Sequence, residues 1–241
     1  MLLEICASNY KSAINTQTAG AHRIELCTEL AVGGLTPSYG LLKQILKVLT
    51  IPVFVLIRPR SGNFTYSETE FEIMKEDIQL CKELGCSGIV SGVLNTNNTI
   101  DVERTRQLIE LSKPLSFTFH RAFDWTPNPL EALEQLIMIG AKRVLTSGQE
   151  PSAEKGIELL KQIQNKANGR ITILPGGGIN IENSKMFKDI GFTELHASAT
   201  SINSVNEPPI ISMNSTKFYD ETIEVVSDIE KIKGILKSLT I

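Results

Sequence analysis

The chain is poor in the residue types that announce a specialised class of protein. Four cysteines in 241 residues are too few for a disulfide scaffold. No excess of one charge is present either. The 24 basic and 27 acidic side chains leave a net charge of -3, with no electrostatic footprint for a nucleic-acid backbone or an anionic membrane. Long hydrophobic runs are missing. The longest, Ile51 to Ile57, has seven residues, against roughly 20 for a membrane-spanning helix. Glu4 breaks the first apolar run and no basic segment precedes it, which argues against a signal peptide and makes the cytoplasm the expected compartment. G-x-S-x-G, H-E-x-x-H and phosphate-loop motifs are absent.

What is present is a repeat. Short apolar runs fall at residues 2–6, 22–26, 52–57, 87–93, 115–119, 143–146, 171–174 and 193–197. Their starts average about 27 residues apart, the size of a βα unit. Helical segments lie between them. Ser67 and Glu70 make a capping box ahead of the stripe Phe71, Met74, Ile78, Cys81 and Leu84. Asn128, Pro129 and Glu131 suit the start of another helix. Gly20, Gly85, Gly140 and Gly191 each end a helical pattern shortly before a strand. Strands that are almost continuously apolar imply a parallel sheet covered on both faces, and eight such units close into a single-domain (β/α)8 TIM barrel over residues 1–241. An open doubly wound sheet is the alternative, but Ala7-Ser8-Asn9-Tyr10 carries no glycine for a phosphate turn after the first strand. Residues 199–217 are polar, contain Pro208-Pro209, and are expected to form a long loop near the barrel mouth, followed by a closing helix at about 226–239.

Strand side chains alternate in direction, so the apolar parity must face the helices. This turns Glu4, Cys6, Arg23, Glu25, Cys27, Arg58, Thr118, His120, Glu194, His196 and Ser198 into the lumen. Most lie near the carboxyl ends of strands, where barrels build their sites. Glu4 and Glu25 are expected to pair with Arg23, Arg58 or Arg60, because unpaired buried charge is expensive. Arg58 and Arg60 make the mouth locally cationic. Together with Ser147, Gly176, Gly177, Gly178 and Ser198 in the loops after the last three strands, they form a candidate anion site. His120 is a candidate general acid/base, with Glu25 or Asp124 assisting and His196 at a neighbouring strand end. Asp124 could equally cap the turn toward Pro127. These groups would serve a barrel enzyme acting on a small phosphorylated or carboxylated metabolite. Cys6 and Cys27 end adjacent strands with the same parity. They could share a soft ion, Cu(I) being the natural one, or be ordinary buried thiols.

Six segments resemble the motifs of one family in order and at fitting spacings. They are Ile24-Glu25-Leu26-Cys27, Gly33-Gly34-Leu35-Thr36-Pro37-Ser38, Ile57-Arg58-Pro59-Arg60, Thr118-Phe119-His120-Arg121-Ala122-Phe123-Asp124, Leu145-Thr146-Ser147-Gly148 and Leu174-Pro175-Gly176-Gly177-Gly178. The family is CutC, the copper homeostasis proteins, and the resemblance runs to about Ser201. It implies a cytosolic barrel linked to copper handling, usually a homo-oligomer such as a dimer or tetramer. Cys6 and Cys27 match the cysteines proposed as Cu(I) ligands in members credited with copper binding. Some members have His-Cys-Ser on the eighth strand, where this chain has His196-Ala197-Ser198.

Overall fold

Each apolar run becomes a strand: β1 Leu2–Ala7, β2 Arg23–Leu26, β3 Val53–Leu56, β4 Gly88–Ser91, β5 Ser116–Phe119, β6 Arg143–Thr146, β7 Thr172–Pro175 and β8 Glu194–Ala197. A computed structural model, described over residues 1–204, 210–211 and 220–240, arranges them as one parallel sheet in the order β7-β6-β5-β4-β3-β2-β1-β8. A parallel bridge between Gly176 and His196 joins the two end strands and closes the ring. The sheet is a barrel and not an open layer.

The helices that return the chain are α1 Tyr10–Thr18, α2 Tyr39–Val48, α3 Glu68–Leu84, α4 Val102–Ser112, α5 Pro129–Met138, α6 Ile157–Ala167, α7 Ser184–Ile190 and α8 Ile229–Ser238. Their ends follow local chemistry. Ser67 and Glu70 form the reciprocal capping box of α3, and Gly85 closes it at φ +80°, a left-handed conformation that costs glycine little. The Asn128 side chain caps α5 by accepting from the Glu131 amide.

Strand alternation divides the interior in two. Leu3, Ile5, Ile24, Leu26, Val53, Val55, Phe117, Phe119, Val144, Ile173 and Leu195 pack outward against the helices as one continuous core. Inside the ring a second, small cluster joins Cys6, Cys27, Phe54, Leu56 and Val90. Fully burying each large apolar side chain contributes about 1.5–3 kcal/mol, so the outer layer supplies most of the stability. The lumen is thereby left able to carry polar groups.

The stretch after β8 differs from the expected loop. Residues Thr200–Ser204 form β9, which pairs antiparallel with β10, Ile223–Ser227. Much of β9 is exposed, so its sequence carries little of the apolar signal that marks a barrel strand. Side chains of the first βα unit fasten the hairpin. Asn9 Nδ2 donates to the Val225 carbonyl and Asn15 Nδ2 to the Ser227 carbonyl, both at 2.9 Å. The rest of the expected loop, 205–209 and 212–217, lies outside the described residues. Among the described residues, no helix is long and apolar enough to cross a membrane.

Candidate functional site

Parallel register brings charged lumen residues side by side. Arg23 on β2 stands beside Glu4 on β1, and Glu4 stands beside His196 on β8. Arg23 donates through Nε to Glu4 and through Nη2 to Glu194 Oε2 at 2.6 Å. Arg143 donates to the same Glu194 oxygen at 2.8 Å and to Ser116 Oγ at 2.6 Å. Both guanidinium groups lie over the Phe54 ring, at 4.6 and 5.3 Å from its centre. His196 Nδ1 sits 2.8 Å from Glu4 Oε1 and 3.4 Å from Glu25 Oε2. The expected partner of Glu4 is therefore present in Arg23, whereas among the described residues Glu25 has His196 as its ion-pair partner and no arginine.

This cluster contains three carboxylates, two guanidinium groups and one imidazole. It is electrically neutral when His196 is an imidazolium and all three carboxyls, Glu25 included, are ionised. Burial disfavours that charge, yet contact with the Cys6 thiol, the Glu4 hydrogen bond and the charges of Glu25 and Glu4 prevail and push the His196 pKa well up. Burial likewise works against ionised Glu4, but His196 and Arg23 hold its carboxyl at about 2. Glu25 is in the opposite position. Burial, reinforced by Glu4, outweighs His196 and Arg23 and raises it to about 7. It is the carboxyl of the lumen poised to exchange a proton near neutrality.

Cys6 and Cys27 are both buried, with their sulfurs 3.5 Å apart. The hydrogen bond with Cys27 and burial raise the Cys6 pKa well above the thiol range, so Cys6 is held protonated. Cys6, Glu25 and His196 also offer ligand atoms within 4.8 Å of one another. Backbone approaches the thiols closely from the next loop. A Cβ on Gly34, at φ +87°, would lie 2.7 Å from Leu56 Cδ2 and 3.5 Å from Cys27 Sγ. Gly34→Ala is expected to destabilise the protein by about 1–3 kcal/mol through strained backbone and overpacking. The check is the shift in the urea unfolding midpoint, compared with Gly40→Ala, where a Cβ meets nothing within 4 Å.

The mouth holds a cavity of about 200 Å³ lined by Cys6, Glu25, Arg58, Phe64, His120, Arg121, Gly177, Gly178, His196 and Ser198, among others. Several residues read from the sequence thus converge there, and others do not. Arg60 turns away to bond Glu70 and the carbonyls of Ser61, Asn63 and Thr65, bracing its own loop. Ser147 commits its amide and hydroxyl to Asp124 and its hydroxyl also to the Glu150 carbonyl. The Gly176 amide donates to the Thr146 carbonyl. Asp124 does not pair with His120. It ties Arg121 to the loop after β6, accepting from Thr146 Oγ1 at 2.5 Å and from the Ser147 and Gln149 amides. His120 accepts the Ala122 amide on Nδ1. Burial and the nearby Arg58 charge lower its pKa to about 3, so near neutral pH it rests as a neutral imidazole. Sequence reading passed over Phe64 and Arg121 as site residues. Arg121 lies inside a quoted motif, but Phe64 has no signal beyond being an aromatic in a polar loop.

The CutC family model matches residues 1–201. A CutC family protein of Photorhabdus laumondii is 44% identical, covering 99% of this chain and 98% of the relative. The mouse copper homeostasis protein cutC homolog is 43% identical, covering 97% of this chain and 88% of its own length. A solved structure of CutC from Streptococcus agalactiae is 38% identical with a TM-score of 0.77, covering 82% of this chain and 98% of that one.

Proposed function

From the premise that this chain belongs to the CutC family, we propose that it binds Cu(I) at the barrel mouth through the thiolates of Cys6 and Cys27. The observation that carries this reading is the pair of sulfurs 3.5 Å apart on adjacent strands. Soft thiolate donors select Cu(I) over hard divalent ions. Two thiolates and one Cu(I) carry a net charge of about -1 by formal count, and the neighbouring imidazolium of His196 offsets it in a buried setting. Because the Cys6 thiol is held protonated, copper entry displaces its proton, so affinity rises with pH. Cys6 lines the cavity while Cys27 lies behind it, giving the ion a path from the mouth.

A cytoplasmic location agrees with four cysteines in the free state, and a homo-oligomer is the assembly the family resemblance implies. Anaerobic titration with Cu(I) tests the site, with Zn(II) in parallel. One Cu(I) per chain is expected, lost in Cys6→Ser/Cys27→Ser. Unchanged Cu(I) binding in that variant refutes the thiol pair. So does a site that prefers Zn(II) and is lost in Glu25→Gln but kept in Cys27→Ser.

A further inference from the structure

Arg58 is a buried guanidinium without a countercharge. It is 5% exposed, and its Nη1 donates to the carbonyls of Val32 and Gly34 at 2.7 and 2.9 Å, its Nη2 to that of Gly62 at 2.9 Å. All three acceptors are neutral. Among the described residues no carboxylate stands within ion-pair distance of it, and its Nε has no acceptor. A buried charge surrounded only by carbonyl dipoles is poorly compensated.

A second orphan donor shares the same cavity. His120 is also 5% exposed, and because Nδ1 accepts the Ala122 amide, its proton resides on Nε2, which has no partner. Leaving a buried donor unsatisfied costs about 1–3 kcal/mol. The Phe64 ring packs against both, 4.9 Å from the His120 ring and 5.0 Å from the Arg58 guanidinium carbon. A cation–π contact recovers about 0.5–2 kcal/mol, which does not neutralise the charge. The contrast with the lumen layer below is informative. There every arginine is matched by a carboxylate.

We infer that the mouth cavity binds a small organic molecule through an oxyanion group, a carboxylate or a phosphate, accepting hydrogen bonds from Arg58 Nε and His120 Nε2, with Phe64 turning aside. The anion supplies the charge that Arg58 lacks and satisfies both orphan donors at once. A cavity of about 200 Å³ exceeds what a bare ion needs and falls below the roughly 300–1,000 Å³ of drug-sized sites, which suits a molecule of a few carbons. Arg121 also lines the cavity, but its charge is paired with Asp124 at 2.8 Å, which leaves Arg58 as the uncompensated cation there. The neutral state of His120 follows from the same environment, since burial and, after it, the Arg58 charge disfavour protonation of the imidazole. The ligand site shares the mouth cavity with Cys6 but draws on Arg58 and His120, neither of which is a proposed copper ligand.

Calorimetric titration of the metal-free protein tests this, with glycerol 3-phosphate as the phosphate arm and pyruvate as the carboxylate arm. One arm is expected to bind one-to-one, with His120→Phe weakening it about tenfold. Arg58 ties three chain segments together, so His120 carries the test. In unsubstituted protein, the ¹⁵N resonance of His120 Nε2 should shift on adding the bound probe. The inference is overturned if neither probe binds up to about 10 mM, if His120→Phe binds as tightly, or if the Nε2 resonance does not move.

Discussion

Replacing Arg23 by methionine is expected to destabilise the protein by about 3–5 kcal/mol, the range for breaking a buried ion pair from one side. Arg23 is the residue through which Glu4 and Glu194 are both compensated. Methionine keeps much of the volume and the packing on Phe54 but leaves Glu4 with His196 and Glu194 with Arg143, each short of the second cation that Arg23 supplies. Arg143→Met should lose less, because Glu194 then retains Arg23. Urea unfolding at pH 7 distinguishes the two. Equal losses, or a loss below about 1 kcal/mol for Arg23→Met, the range of an exposed pair, would show that the layer is not the electrostatic keystone its geometry indicates. Adding Glu4→Gln to Arg23→Met should recover part of the loss, since it removes the buried carboxylate that Arg23 bonds through Nε.

The second large effect is a cancellation that single substitutions expose. His120 has a folded pKa of about 3, below its unfolded value near 6.5. Its contribution is present above 6.5 and is lost as pH falls toward 3. Glu25 has a folded pKa of about 7, above its unfolded value near 4.5. Its contribution is complete below 4.5 and is lost as pH rises toward 7. Between pH 4.5 and 6.5 the two slopes oppose each other at about 1.4 kcal/mol per pH unit each. The metal-free protein should therefore show nearly flat stability across that window. Glu25→Gln should lose about 2–3 kcal/mol between pH 6.5 and 4.5, while His120→Phe should gain a similar amount over the same interval. Below pH 4.5, Glu4, held at about 2, joins His120 and stability falls steeply in the unsubstituted protein. Above 6.5 the raised pKa of His196 contributes a loss as pH climbs through it. Urea midpoints from pH 3.5 to 8 read all of these limbs. Parallel curves for the two variants would mean that burial does not move these groups as described.

Both predictions concern lumen groups, and the lumen is where sequence and structure part company. The eight strands were legible because barrel strands are buried on both faces, so runs such as Arg143–Thr146 stand out from the amphipathic helices around them. The capping box at Ser67 and Glu70 was legible because its signal is local, three residues apart. Parity placed Cys6, Arg58, His120 and His196 on the inner face, since alternation along a strand needs no knowledge of its neighbours. The hairpin of β9 and β10 was not legible, because an exposed strand pair leaves little apolar pattern.

Partner choice was beyond the sequence altogether. Asp124 is four residues from His120 yet bonds the loop after β6, 22 to 25 residues away. Arg60, two residues beyond Arg58, folds back on Glu70 instead of entering the mouth. The linear chain by itself determined the barrel, the face each strand residue occupies and the family to which the chain belongs, because these depend on short-range periodicity and on motif identity. Only the closed ring decided which charges neutralise each other and that Arg58 meets backbone carbonyls but no carboxylate among the described residues. Those outcomes depend on register between strands far apart in sequence, and in a low-dielectric lumen a displacement of a few ångströms separates a compensated charge from an orphan.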